Sequence, residues 1–369
     1  MKKKRLGISL YPEFASQEDN LAYLERAAAH GFNVLFLAFL GVKDPRDVVI
    51  ERYKPYTKKA KELGFEIFAD VNPWVFERLG IQACFFKGLD LSFFEELQID
   101  AMRLDLGMST IEEAALTKNK WGIKVCINGA TLTDHVGALL AAGADKENLV
   151  GCHNYYPHRY TGVSLDYYIK GSKNWIDRGM RLQTFVSSNA PGAFGPWPVT
   201  EGLPTLEMHR NLPIGIQTKH FVMMDMADDI LVSNCFATDD ELQAMVDANQ
   251  PKVKFNVKLA DDVPDEQIAR ASIDLSVRGD CTSGYLIRTF ESRALPGSAA
   301  PFNTVEKLQR GDVLIDNDLY GQYAGEVQIA LKEMENPGNV NVIGRIDEQE
   351  HILLDYLEGG MPFGFNFVK

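Results

Sequence analysis

The chain has 369 residues, 46% hydrophobic and 24% charged. This excludes a disordered or fibrous protein and exceeds what one compact core usually holds, so two domains are expected. A net charge of -13 argues against nucleic acid as the main partner, although a local Arg, Lys or His cluster still suits a small anion.

Strand and helix patterns alternate from the start. The basic opening Met1-Lys2-Lys3-Lys4-Arg5 begins like an export signal, but Gly7, Ser9, Pro12 and Glu13 break the apolar run that should follow. A first strand is predicted over residues 5–11, then a helix over 19–30 stopped by Gly31. A second strand, 33–40, leads to a helix over 46–63 ended by Gly64. The third strand, 66–71, precedes short helices at 75–79 and 91–97. The fourth, 101–106, precedes a helix over 111–120, and the fifth, 124–128, one over 134–142 with Gly143 after it. The sixth, 149–154, precedes a helix over 164–178 and Gly179. The seventh, 181–187, opens a long loop with a helical segment. The eighth, 229–233, is followed by a helix over 239–249. Eight short apolar strands separated by helices that stop near glycines predict an α/β fold, a (β/α)8 TIM barrel. A doubly wound open sheet fits less well, because no glycine-rich phosphate loop follows the first strand.

After Pro251 the pattern changes. Short strands are predicted at 253–259, 283–290, 311–315, 326–330, 341–346 and 351–354, with turn signals such as Glu335-Asn336-Pro337-Gly338. A smaller mainly-β domain is therefore expected, dividing the chain into residues 1–250 and 251–369. No apolar run is long enough to span a bilayer, so no membrane insertion is expected. The cysteines are Cys84, Cys126, Cys152, Cys235 and Cys281, scattered and odd in number. They read as reduced thiols, and the protein as cytoplasmic.

Function is expected where the strands change character. Val150-Gly151-Cys152-His153-Asn154-Tyr155-Tyr156-Pro157-His158-Arg159-Tyr160 begins as an apolar strand and ends as a dense polar and aromatic run. The same switch recurs at Ser9-Leu10-Tyr11-Pro12-Glu13, Asp70-Val71-Asn72-Pro73-Trp74, Arg103-Leu104-Asp105 and Asn128-Gly129-Ala130-Thr131. Polar strand ends on one rim describe an active site at a barrel mouth. His153 and His158 lack any accompanying His–Glu helix motif or cysteine pair, so no metal is expected, and no cofactor loop is present.

As a set these motifs, together with Glu201-Gly202-Leu203-Pro204-Thr205-Leu206-Glu207 and His209-Arg210, resemble the bacterial 6-phospho-N-acetylmuramidase family. The resemblance covers the whole chain and implies a cyclophilin-like C-terminal domain. It further implies a cytoplasmic glycosidase of peptidoglycan recycling. The substrate would be a phosphorylated amino-sugar disaccharide, N-acetylmuramic acid 6-phosphate linked β-1,4 to N-acetylglucosamine.

The resemblance carries no catalytic assignment, so the residues are argued from chemistry. Glycoside hydrolysis normally uses two carboxyl groups. Asp70, Asp105, Glu13 and Glu201 are the catalytic candidates, with Glu207 in the same segment as Glu201. Asp105 also lies two residues after Arg103, on the same strand face, where an ion pair is the structural alternative. A 2-acetamido group on the substrate offers a second route, in which the substrate supplies the nucleophile; both routes give retention. Tyr11, Asn72, Arg103, Asn128, His153, Asn154 and Tyr155 are candidate sugar contacts. His158, Arg159, Arg210 and the turn at Ser187 are candidate partners for the phosphate and lactyl carboxylate, beside His209 and Lys219. Trp197 is a candidate stacking face for a sugar ring. Two other classes stay open: a non-hydrolytic aldolase or isomerase barrel, which would want a strand-end lysine or a metal, and a non-catalytic carbohydrate-binding protein. Self-association into a homo-oligomer also stays open.

Overall fold

The computed structural model describes residues 2–84 and 88–368. Two compact units are present: Lys3–Asn249, and a second that begins at Gln250.

In the first unit the elements run β1 (Arg5–Leu10), α1 (Gln17–Ala29), β2 (Val34–Ala38), α2 (Arg46–Glu62), β3 (Glu66–Val71), α3 (Pro73–Leu79), α4 (Ser92–Glu96), β4 (Ala101–Leu104), α5 (Thr110–Leu116), β5 (Lys124–Asn128), α6 (His135–Ala141), β6 (Leu149–Cys152), α7 (Leu165–Ile176), β7 (Leu182–Val186), α8 (Ile214–Met224), β8 (Asp229–Val232) and α9 (Asp239–Ala248). The eight strands pair in sequence order and close into a barrel, β8 lying parallel to β1. Local chemistry sets the helix starts. Ser16, Asn72, Ser109, Asp134, Ser164 and Thr238 each cap a first turn by accepting a backbone N–H, which satisfies donors that a helix start leaves unpaired. Gly151 lets α7 approach the barrel: a Cβ there would come within 2.7 Å of Trp175 and Leu182.

Strand alternation sorts the barrel interior into layers. The middle layer is apolar and includes Phe36, Phe68, Ala101, Cys126, Cys152, Phe185 and Leu231. At the N-terminal end lies an ionic layer. Glu66 receives Arg5 at 2.6 Å, Lys124 at 2.9 Å and Arg181 at 2.8 Å, while Arg181 also pairs with the buried Asp229. Burial alone would raise the Glu66 carboxyl, but Arg181, Arg5 and Lys124 outweigh it and hold the group at about 2. A depressed folded-state value stabilises the fold above the ordinary carboxylate range and is lost as pH falls through it. Glu66→Gln is therefore expected to cost about 3 kcal/mol at pH 7, the equivalent of the shift from the ordinary value. Denaturant titrations should show the gap to wild type closing between about pH 4.5 and pH 2. A constant gap across that range would refute the ionic assignment.

The second unit is mainly β. It contains β9 (Val253–Leu259), α10 (Asp265–Ala271), β10 (Leu275–Ser276), β11 (Leu286–Arg288), β12 (Lys307–Leu308), β13 (Asp312–Asp316), β14 (Val327–Ala330), β15 (Met334–Glu335), β16 (Val340–Ile346) and β17 (Pro362–Val368). Seven strands form a sheet in the order β10-β17-β9-β16-β13-β14-β11, and β12 and β15 form a separate ribbon. Two expectations need correction. The strand predicted at 351–354 lies inside a 3-10 segment, Glu348–Tyr356, which Asp347 initiates by accepting the Gln349 N–H at 2.9 Å. The long strand predicted at 283–290 is reduced to Leu286–Arg288. β17 lies outside the predicted strands and pairs in parallel with β9 from Phe363 to Val368.

Candidate active site

Above the apolar layer, at the C-terminal ends of the strands, the same alternation delivers polar side chains. Asp70 follows Phe68 on one face of β3. Arg103 follows Ala101 on β4, and Asp105 comes two residues later. Arg103 is buried and organises the group. Its Nη1 donates to Asp70 Oδ1 at 2.7 Å and to Asp105 Oδ1 at 2.5 Å, and its Nη2 donates to Asn154 Oδ1. Sharing one nitrogen brings the two carboxyls side by side, which suits a retaining rather than a widely spaced inverting pair.

The two carboxylates differ in access. Asp70 has no exposed side-chain surface, whereas Asp105 is 32% exposed. Burial raises the Asp70 carboxyl to about 6; Arg103 pulls it down and Asp105 pushes it up. Its Oδ2 has no hydrogen-bond partner in the structure. Asp70 thus touches Arg103 from inside the fold, and Asp105 is the more accessible of the two carboxyls.

Tyr11 and Tyr155 complete the layer. Their side chains are hydrogen-bonded to each other, and the Tyr11 hydroxyl donates to the Ser233 carbonyl. Burial raises both hydroxyls, so each stays protonated, with the Tyr11 proton on Ser233 and the Tyr155 proton on Tyr11. Tyr155 packs edge-on against Phe36 and Phe185, with ring centroids 6.0 and 5.0 Å apart. The polar layer therefore stands directly on the apolar core that fixes its height.

Several residues expected at the site make contacts within the fold. His153 points out of the barrel: its Nε2 meets Ser172 Oγ at 2.9 Å, and its ring lies 4.4 Å from that of Tyr168 on α7. Burial lowers it to about 3, so it is neutral. Alternation explains this, since Cys152 and Asn154 on either side face inward. Asn72 caps α3 through the Val75 N–H at 3.0 Å. Asn128 accepts the Ala130 N–H at 2.8 Å, a local turn contact at the end of β5. Glu13 is held by Arg52 at 2.7 Å to both oxygens and by the Tyr53 hydroxyl. Buried Ser187 accepts the Leu203 N–H at 2.9 Å. Arg210 spends all five N–H groups inside the loops after β6 and β7: on Glu207 and on the carbonyls of Tyr156, His158, Glu201 and Gly202. It has no donor left for an anion. His209 is buried against His220, its Nε2 2.7 Å from the partner Nδ1.

Glu201, Arg159, His158 and Trp197 stay at the surface. Glu201 accepts the Arg159 backbone N–H at 3.0 Å and lies 3.4 Å from its Nε. The Arg159 side chain is 59% exposed, and His158 Nδ1 contacts the Arg159 carbonyl at 2.6 Å. Trp197 is 47% exposed. Thr205 was missed. Its hydroxyl donates to the Asn154 carbonyl at 2.8 Å and accepts the Phe185 N–H at 3.1 Å, fixing the end of β6. Nothing local marks it, because it acts from the far end of a long loop. Ser233 was also passed over, although Ser233-Asn234 after β8 repeats the polar switch seen on other strands. Among the described residues no cluster of His, Cys, Asp and Glu is arranged to hold a metal, and no helix is long and apolar enough to cross a membrane.

Comparison with known proteins matches this architecture in two parts. Residues 6–247 match the N-terminal model of 6-phospho-N-acetylmuramidase, and residues 253–366 match its C-terminal model. The crystal structure of an uncharacterized B. cereus protein superposes with a TM-score of 0.89 at 34% identity, covering 99% of this chain and 100% of that one. A conserved Enterococcus faecalis protein of unknown function superposes with a TM-score of 0.74 at 23% identity, over 98% of this chain and 96% of that one, which speaks to fold alone. No curated protein matches the chain.

Proposed function

The chain belongs to the 6-phospho-N-acetylmuramidase family and is a glycosidase, and on that footing we propose that it cleaves the β-1,4 bond of N-acetylmuramic acid 6-phosphate–N-acetylglucosamine with retention, in cytoplasmic recycling of peptidoglycan fragments. One observation carries the mechanism. Of the four carboxyls singled out from the sequence, Asp105 alone combines access with a place in the polar layer. A single accessible carboxyl supports a substrate-assisted route. The 2-acetamido oxygen attacks the anomeric carbon, and Asp105 gives a proton to the leaving glycosidic oxygen. Asp105 then takes a proton from the water that opens the cyclic intermediate. Arg103 and Asp70 position Asp105, and the hydrogen-bonded Tyr11–Tyr155 pair closes the layer beside them. The polar layer holds no lysine, which counts against a Schiff-base aldolase. Five free thiols are in keeping with a reducing compartment.

Arg159 is the candidate reader of the 6-phosphate, because its guanidinium is exposed and held by one long contact to Glu201. The test is release of N-acetylglucosamine from the disaccharide with and without the 6-phosphate, with the first-formed anomer followed by proton NMR. Rapid release of the β anomer from the phosphorylated substrate is expected. Arg159→Ala should raise KM for that substrate far more than for the unphosphorylated one. An α product would replace this mechanism with direct attack by water. Equal effects of Arg159→Ala on both substrates would reduce Arg159 to loop support.

A further inference from the structure

The second unit contains a cavity that the glycosidase chemistry does not use. It measures about 340 Å³ and lies between one face of the sheet, the β12–β15 ribbon and the 3-10 segment Asp318–Tyr323. Its walls are mostly apolar, with Leu286, Leu308, Leu314, Met334 and Val340 forming one cluster. This volume and character fall at the small end of ligand sites, where apolar walls bind and a few polar groups orient.

Polar groups also line it: Arg288, Asp316, Gln328 and Glu335, with the rings of Tyr320 and Tyr323. In strand register Arg288 lies opposite Gln328, and Gln328 opposite Leu314. Arg288 commits Nε and Nη2 to the fully buried Glu326, at 2.6 and 3.0 Å, and among the described residues its Nη1 meets no hydrogen-bond acceptor. Asp316 lines the cavity two residues after Leu314, on the same face of β13. Its Oδ2 accepts Gln328 Nε2 at 3.0 Å, and Gln328 also donates to Glu326 at 3.1 Å. Arg288 and Arg293 pair with Glu326, and Arg278 reaches it at 3.9 Å while pairing more closely with Asp280 at 2.7 Å. Among the described residues Asp316 makes no ion pair. Burial and the Glu326 charge raise it to about 7, against the pull of Arg288 and Arg293. Among the described residues no donor reaches its Oδ1, while Gln328 serves Oδ2.

We propose that this cavity is a binding site for an N-acylated apolar amino-acid unit, as in a peptide segment: the apolar side chain fills the Leu314–Met334 pocket, an amide N–H donates to Asp316, and a carbonyl accepts from Arg288. An amide carries one donor and one acceptor side by side, matching the acceptor and the donor at the cavity edge. The site stands apart from the glycosidase reading and does not depend on it.

The experiment uses the full chain with methyl-labelled Leu, Val and Met, titrated with N-acetyl-leucine N-methylamide. Saturable shifts are expected at Leu286, Leu308, Leu314 and Met334, without shifts at barrel methyls. Met334→Trp, which fills the cavity from the half-buried ribbon, should weaken binding at least about tenfold, and Asp316→Ala at least about threefold, by analogy with a lost hot-spot contact. Thermal melting and glycosidase turnover serve as folding controls, and both should stay near wild type in Met334→Trp. Absence of shifts up to solubility would overturn the proposal. Equal shifts with isocaproate, which has the apolar body but no amide, would overturn it too, leaving a merely greasy cavity. If Met334→Trp melts early, Leu286→Phe on the edge strand replaces it with the same expected loss.

Discussion

Replacing Asp105 with Asn is expected to lower kcat at least about a hundredfold, as for loss of a positioned proton donor and acceptor. The change is isosteric, and Arg103 keeps its 2.7 Å bond to Asp70 and its bond to Asn154, so the melting temperature should move little. The loss should fall mainly on kcat, because a group that acts in proton transfer contributes little to ground-state binding. A second readout separates chemistry from positioning. An aryl glycoside whose leaving group departs without protonation should recover most of the first step in Asp105→Asn. A variant equally slow on both substrates would make Asp105 an orienting group. Near wild-type turnover on the natural disaccharide would remove it from the reaction.

Much of this arrangement was readable before the structure. The eight strands are buried on both faces and so appear as short apolar runs, and helix caps and terminal glycines punctuate them. The pair Arg103 and Asp105 could be placed on one face from spacing alone. The same rule, applied along β6, would have turned His153 outward, because Cys152 and Asn154 must share the inner face. Local composition outweighed it: a histidine among tyrosines and asparagines looks like a ligand-site residue. Asn72 was also readable, since Asn72-Pro73 is itself a helix-start signal. The contacts of Glu13 and Arg210 could not be read that way. Their partners are an arginine 39 residues away and carbonyls scattered over two loops. Such commitments are tertiary facts. The β17 strand failed for a different reason. Phe363, Phe365 and Phe367 alternate as a strand should, but a terminal segment gains its identity only from the neighbour it joins, here β9.

The buried half of the carboxyl pair yields the other large effect. Asp70→Asn is expected to reduce kcat about a hundredfold while leaving the protein as stable at pH 7 as the wild type, or more so. The stability side follows from the sign of the shift. Asp70 sits at about 6 in the fold against an ordinary value of 3.8, so its favourable contribution is complete below about pH 4 and is lost as pH rises through 6. The shift corresponds to about 3 kcal/mol, and Asn, which mimics the protonated form, does not incur that loss. Wild-type stability should therefore decline between about pH 4 and pH 7 relative to Asp70→Asn. The activity side follows from charge. Hydrolysis builds positive charge on the sugar, and an ionised Asp70 behind Arg103 leaves the cluster more negative as that charge develops. Protonating Asp70 removes this help. The wild-type rate should thus fall on the acid side with a midpoint near pH 6, and that limb should vanish in Asp70→Asn, whose charge no longer changes. Parallel pH profiles of kcat/KM and of unfolding free energy decide the matter. An unaltered acid limb in the variant would assign it to another group, and a variant that melts early at pH 7 would make Asp70 a scaffold residue whose ionised form the fold requires.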